Sequence, residues 1–261
     1  MDKAANAASK ETRLSGKVAL ITGAAGGIGS HLAQVLHEHH MHVVMTDLPA
    51  KRDELEKLQD RLEQPDRLRA VIHELDLCDV EAIGEIVDKV IAEFGRIDVL
   101  INNAGINVIT PSIGLTPEQW DLMFHVNLRG AFFLTQQAAR YMIQKKDGHI
   151  INIASQHGVV GNEDRVAYCA SKAGLIQATR ALAVEWAKYN LKVNSISPTF
   201  VFTKSNKELF SDHIFQHNTL RRIPLRRYAV PDDIADAVLY MIQSDMLTGH
   251  NLVVDGGWTA R

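Results

Sequence analysis

Val18-Ala19-Leu20-Ile21 is an unbroken apolar run, bounded by Gly16-Lys17 on one side and a glycine-rich turn on the other. A strand with one wet face alternates polar and apolar residues; a strand with no polar position is covered on both faces, as in a parallel sheet packed between helices. The run leads through Thr22-Gly23-Ala24-Ala25-Gly26-Gly27-Ile28-Gly29 into a helical stretch, Ser30 to His40. Glycines let the backbone approach an anion closely, and the opening helix turns free N–H groups and the positive end of its dipole toward it. Buried strand, glycine turn and helix in that order read as a cradle for a dinucleotide pyrophosphate.

The unit repeats along the chain. His42 to Thr46 reads as a second strand ending in Asp47, about 20 residues beyond the glycines, where a carboxylate can accept hydrogen bonds from both adenosine ribose hydroxyls. It would repel a 2′-phosphate, and the glycine turn holds no Arg or Lys to receive one, so the expected cofactor is NAD in preference to NADP. Lys51 and Arg52 read as the solvated start of a charged helix over 52–64, closed by Pro65. Further strands are expected at 68–75, ending in Asp76-Leu77, at 97–101, running into Asn102-Asn103-Ala104-Gly105, and at 150–154 and 191–197. Helices are expected at 79–94, from Pro117 with Thr116 as N-cap and Asn127 inside, and at 166–189. Such alternation predicts an α/β fold in a single domain, a Rossmann-like doubly wound parallel sheet whose ligands bind beyond the carboxyl ends of the strands.

A chain of 261 residues that is 46% hydrophobic can bury one large core. Its formal net charge of -3 gives no reason to expect nucleic acid or an anionic membrane as partner, so a small-molecule substrate is expected. The N-terminus has no apolar leader, and no apolar run reaches membrane-spanning length. Two cysteines, Cys78 and Cys169, suit a reducing compartment, and the expected location is the cytoplasm. Residues 1–13 are expected to form a loose arm ahead of a domain over 14–261. The group His37, His39, His40 and His42 lies near a helix C-terminus, where imidazoles suit the dipole; no metal is expected.

Tyr168 and Lys172, four apart in an Ala-rich helical stretch, leave the same helix face one turn from each other. An ammonium within hydrogen-bonding range stabilises a phenolate and lowers a pKa that starts near ~10, which suits a tyrosine that exchanges a proton near neutrality. Ser155 follows the apolar run 150–154 and is expected at the end of a buried strand facing that helix. Tyr-x3-Lys alone is also an ordinary surface pair in many helices.

Taken together, Thr22-Gly23-x3-Gly27-x-Gly29, Asn102 to Gly105, Asn127 in Val126-Asn127-Leu128, Ser155, Tyr168-x3-Lys172 and Val254-Asp255-Gly256-Gly257 resemble the short-chain dehydrogenase/reductase family in its single-domain group, from Gly16 to Gly257. The resemblance implies NAD(P)-dependent interconversion of an alcohol and a ketone by a four-residue site. Tyr168 is the general acid or base, Ser155 steadies the substrate oxygen, Lys172 also holds the nicotinamide ribose, and Asn127 positions a water that relays protons. It places Gly23, Ala25, Gly27, Ile28 and Gly29 at the pyrophosphate, Asp76 and Leu77 at the adenine, Asn103, Ala104 and Gly105 along the cofactor channel, and Val201 and Thr203 at the carboxamide. Competing readings are a helix kink or cap for Asn127 and a plain strand end for Asp76.

One position departs from the family pattern: Thr199 follows Pro198 where the family usually has Gly. A side chain there is expected to cost backbone freedom and to add bulk beside the carboxamide. Residues 199–224 are expected to form a substrate lid, basic at Arg221 and Arg222, while Arg226 and Arg227 just beyond it read as ordinary surface charge ahead of the last helix. With Gln156, His157 and Arg165 near the pocket, and Asn107 and Asn162 beside them, the lid suits a polar substrate, a sugar, sugar acid or polyol. The ending at Trp258 resembles sugar-acid dehydrogenases of the family. Two rivals stand beside this reading: a 3-oxoacyl-carrier-protein reductase, and an NAD-binding sensor or scaffold without turnover. The resemblance also implies a homotetramer built on the Tyr168 helix and on the last strand and helix.

Overall fold

The computed structural model describes residues 13–62 and 68–260. Seven parallel strands form one sheet in the order β3-β2-β1-β4-β5-β6-β7. They are β1 (Val18–Thr22), β2 (His42–Asp47), β3 (Ala70–Glu74), β4 (Val99–Asn102), β5 (Gly148–Ile153), β6 (Leu191–Pro198) and β7 (Asn251–Val254). The order reverses between β1 and β4, the switch point where the connections leave to opposite faces and open a crevice.

Alternation along each strand sends residues to two separate cores. Ala19 and Ile21 face α1 (Gly27–Glu38), α2 (Arg52–Leu62) and α9 (Pro231–Ile242), against Leu32, Leu55 and Val238. Val18 and Leu20 face α3 (Val80–Phe94), α5 (Ala131–Lys145) and α6 (Val166–Trp186), against Ile83, Leu134 and Leu182. All five positions of β1 are buried, as its composition requires.

Helix boundaries follow local chemistry. Asp79 caps α3 by accepting from the amides of Glu81 and Ala82, and Thr116 with Gln119 forms a capping box at the start of α4 (Pro117–Phe124). The long helix expected from Pro117 is interrupted by a π-helical turn, His125–Gly130, before it continues as α5. Wide turns of this kind free backbone groups and are frequent at functional sites. Pro65, the expected end of the 52–64 helix, lies outside the described residues, as does the arm except for Arg13. Arg13 pairs with Asp245 at 3.0 Å, although so exposed a pair stabilises little, and the next residue, Leu14, is buried. Two short helices, α7 (Lys207–Ser211) and α8 (His213–Leu220), follow β6. No helix among the described residues is long and apolar enough to cross a membrane.

Candidate active site

A cleft of ≈ 1290 Å³ runs across the carboxyl ends of the strands, from Asp47 and Asp76 to Ser155, Tyr168 and Lys172. Its floor is the turn after β1. Thr22 is buried there, and its Oγ1 accepts from the amides of Asn103 and Ala104, both at 3.1 Å. The Asn103 side chain returns the tie by donating to the carbonyls of Thr22 and Gly23 at 2.9 and 3.1 Å. Gly23 has φ +65°, and a Cβ on it would stand 2.8 Å from the Ala104 Cα, so this junction admits only glycine. The sequence reading placed Thr22 at the head of the glycine motif but gave it no role; a hydroxyl ending an otherwise apolar strand is the signal that marks it.

No side chain caps the N-terminus of α1 at Gly26. A Cβ on Gly27 would meet the Thr203 side chain at 2.5 Å, so the segment after β6 presses directly on the glycine turn. Ala25, Ile28, Gly105, Val201 and Leu77 also line the cleft. The Asp47 carboxylate is fixed by accepting from the Ala25 amide at 3.0 Å and the Leu48 amide at 2.9 Å. Asp76 accepts from the Cys78 amide at 2.8 Å. Lys51 and Arg52 are held by carboxylates: Lys51 by Glu54, Arg52 by Glu56 and Glu74. A narrow glycine floor, an uncapped helix start and an oriented carboxylate fit a dinucleotide with its adenosine end at Asp47.

At the other end Ser155 and Tyr168 both line the cleft. Burial pushes the Tyr168 phenol above its ordinary pKa, and the nearby Ser155 hydroxyl opposes the rise. Lys172 is buried, its Nζ donates to the Ile153 carbonyl at 2.8 Å, and it lies 6.0 Å from the centre of the Tyr168 ring. Desolvation brings its pKa down to about 8. The expected ammonium–phenol hydrogen bond is therefore replaced by one to the last carbonyl of β5. In this geometry Ser155, not Lys172, draws the phenol pKa downward.

Asn127 sits in the π-helical turn, fully buried. Its Oδ1 accepts from the Ile106 amide at 2.8 Å, and its Nδ2 donates to the Ile106 carbonyl at 2.9 Å and to Ser171 Oγ at 3.1 Å. Ser171 in turn donates to the Tyr168 carbonyl at 2.8 Å. This hydroxyl, which joins the two helices behind the site, was not singled out from the sequence; its place inside Tyr168-x3-Lys172 is the clue.

The residues expected at the substrate divide. Asn107 lines the cleft, whereas Gln156, His157 and Arg165 do not. Gln156 and His157 are buried, because the chain turns inward in a 3-10 turn after Ser155. His157 packs edge-on against Phe200 and Trp258, its Nε2 lies 3.3 Å from Asn162 Nδ2, and burial, with Arg165 and Arg222 nearby, takes its pKa down to about 4. Arg165 immediately precedes α6, and its guanidinium donates to the Glu163 carbonyl. Thr199 lines the cleft, and its φ is not positive, so the backbone there does not require a glycine. His37 is kept neutral chiefly by burial, so the dipole gains nothing from it. No group of three His, Cys, Asp or Glu among the described residues could hold a metal ion.

A parallel sheet with a cleft at its switch point, and an acid–base set at the far end of that cleft, define a nicotinamide-dependent oxidoreductase of alcohols. The chain belongs to the short-chain dehydrogenase/reductase family: a family model described as enoyl-(acyl carrier protein) reductase matches residues 23–259. It is 34% identical over 254 residues to an NAD-dependent glycerol dehydrogenase of Listeria innocua, covering 97% of both chains. It is 37% identical over 248 residues to a 3-oxoacyl-[acyl-carrier-protein] reductase of Thermotoga maritima, covering 94% of this chain and 98% of the relative. Among solved structures, a gluconate 5-dehydrogenase from Burkholderia cenocepacia in complex with NADP and tartrate superposes with a TM-score of 0.90. It shares 31% identity and the match covers 97% of this chain and 99% of that one.

Proposed function

We propose that the protein oxidises a secondary alcohol of a small polyhydroxylated substrate, a polyol or a sugar acid, with NAD, and runs the reverse reduction with NADH. The observation that carries this reading is that Ser155, Tyr168 and Lys172 line one end of the cleft that begins at Asp47. When bound, the nicotinamide accepts the hydride from the carbinol carbon. The protein's part is then proton handling: Ser155 hydrogen-bonds the substrate oxygen, Tyr168 takes its proton, Lys172 adds a positive charge on the same wall, and Asn127, bonded to Ile106 and Ser171, braces the helix that carries them.

The oriented Asp47 and the carboxylate-paired Lys51 and Arg52 favour NAD over NADP, although the gluconate dehydrogenase relative was solved with NADP. Asn107 on the wall and the glycerol and gluconate dehydrogenase relatives favour a polar substrate. Gln156, His157 and Arg165 enter as groups behind the wall that shape it, and residues 199–224 as the lid. Val184 on α6, 83% exposed, and Tyr240 on α9, 58% exposed, suit the two interfaces of a homotetramer. Two free cysteines suit the cytoplasm.

The 3-oxoacyl-carrier-protein reductase reading is favoured by the reductase relatives, the Thermotoga protein and two from Rickettsia among them. One panel separates the two: polyols, aldonic acids, sugars and hydroxyacyl thioesters, each with NAD and NADP, followed by reduced-cofactor absorbance. Turnover of polyols or aldonic acids is expected, with kcat/KM higher for NAD. Asp47→Ala should narrow that preference by roughly 10- to 100-fold, the worth of charge-assisted hydrogen bonds to the ribose. Activity on thioesters with NADP alone would contradict the proposal.

A further inference from the structure

Polyols and sugar acids differ in charge, and the side chains around the reacting end bear on which of the two fits. A carboxylate that leaves water for a cleft needs a cation beside it, because an unpaired charge is costly to desolvate. Among the described residues, the basic side chains lining the cleft are His31, Lys51, Arg61, Lys172 and Lys204. Four of these belong to the dinucleotide's half. Lys51 follows Asp47 and is paired with Glu54, and Arg61 lies on α2. His31, on α1, meets Asp232 at 2.9 Å, and Lys204 follows Thr203, which presses on the glycine turn. Only Lys172 stands at the reacting end, and its Nζ is turned to the Ile153 carbonyl.

The guanidiniums that the sequence suggested for a substrate carboxylate are engaged elsewhere. Arg165 donates to the Glu163 carbonyl, Arg222 lies 5.7 Å from the centre of the Trp258 ring and donates to Asn162 at 3.4 Å, and Arg227 grips Asp233 at 2.7 and 2.9 Å. None of the three lines the cleft. What the reacting end offers instead is an uncharged amide. Asn107 lines the cleft, is exposed, and its side chain has no hydrogen bond among the described residues. Its backbone is held on both sides. Ile106 is tied to Asn127 through its amide at 2.8 Å and its carbonyl at 2.9 Å, and the Thr110 amide donates to the Asp164 carbonyl at 2.9 Å. A Cβ on Gly105 would meet Lys172 Nζ at 3.1 Å, so this segment runs against the catalytic lysine.

Resting on the oxidoreductase reading above, we infer that the reacting end takes a neutral polyol and turns away the sugar acid of equal length, with the Asn107 amide holding a hydroxyl beyond the reacting carbon. An amide donates and accepts, as a carbinol does, and it has no charge to offer a carboxylate.

Steady-state kinetics of the full chain with NAD test this on pairs of equal carbon number: glycerol and glycerate, threitol and threonate, xylitol and xylonate. The best polyol should exceed its acid in kcat/KM by about 100-fold or more. Asn107→Leu should lower kcat/KM for that polyol roughly 10- to 100-fold, chiefly through KM, with the Kd for NAD within about twofold of the parent. Asn107→Gln, which keeps the amide, should stay within about fivefold. Asn107→Arg supplies the missing cation and should narrow the polyol-to-acid ratio at least about tenfold. Should the Leu variant fold poorly, Asn107→Ala is read against Asn107→Gln in the same way. An acid turned over as well as its polyol, a parental KM for the polyol in the Leu variant, or equal weakening of NAD and polyol would each overturn the inference. No turnover of either class by the unaltered chain would instead fail the reading on which it rests, a result distinct from the other three.

Discussion

Tyr168→Phe should lower kcat for alcohol oxidation roughly 10²- to 10⁴-fold, the span usual for loss of a general acid–base group, while the dissociation constant for NAD stays close to that of the parent. Tyr168 lines the cleft, so the substitution deletes one oxygen there and leaves the packing. Burial holds the phenol above its ordinary pKa, so oxidation by the parent should quicken as pH rises toward that value. The Phe variant should show no such limb. Steady-state kinetics across pH, paired with NAD titration, check both halves; undiminished turnover would remove Tyr168 from the chemistry.

Lys172→Met should show opposite effects on activity and stability. Its ammonium is fixed on the Ile153 carbonyl in the same cleft wall as Tyr168, and a loss of at least about 10² in kcat is expected from removing a preorganised charge beside the reacting group. The same side chain is costly to bury. In the folded, ligand-free protein its pKa is about 8, against 10.5 for the free group, so between those values the unfolded chain binds more protons and stability rises with pH. Below about 8 the penalty is fully present, roughly 3 kcal/mol for that difference, offset by about 1 kcal/mol for the bond to the Ile153 carbonyl. The ligand-free Met variant should therefore melt about 4–8 °C higher at pH 7, and the gap should close as pH approaches 10.5. Calorimetric melts at a series of pH values measure it. A lower melting temperature at pH 7 would show that the lysine is not the burden its burial implies.

The parts of this molecule legible in its sequence are those set by short-range pattern. The apolar runs located the central strands, since a strand buried on both faces has no other composition. Thr116 and Pro117 marked a helix start because capping is a local bargain between a side chain and three amides. What was not legible depends on contacts between distant segments. The π-helical turn around Asn127 leaves no mark on the hydrophobic period. Helical spacing puts Lys172 beside Tyr168, but it cannot reveal that the Ile153 carbonyl, on another element, takes the ammonium. Likewise the polarity of Gln156 and His157 suggested a wall facing substrate, whereas the turn after Ser155 folds them inward. That position 199 tolerates a side chain where the family usually has Gly is likewise visible only in its backbone angle, which is not positive, and in its amide's bond to the Val254 carbonyl.

The claim on which the rest depends is that one dinucleotide spans the switch-point crevice, with adenosine at Asp47 and nicotinamide at Ser155 and Tyr168. A crystal structure of the full chain with NAD measures this directly. The account predicts ribose hydroxyls on the Asp47 carboxylate, the pyrophosphate over Gly27, and the reactive carbon of the nicotinamide facing the Tyr168 hydroxyl. A dinucleotide lying in the reverse sense, or bound away from Tyr168, would contradict it.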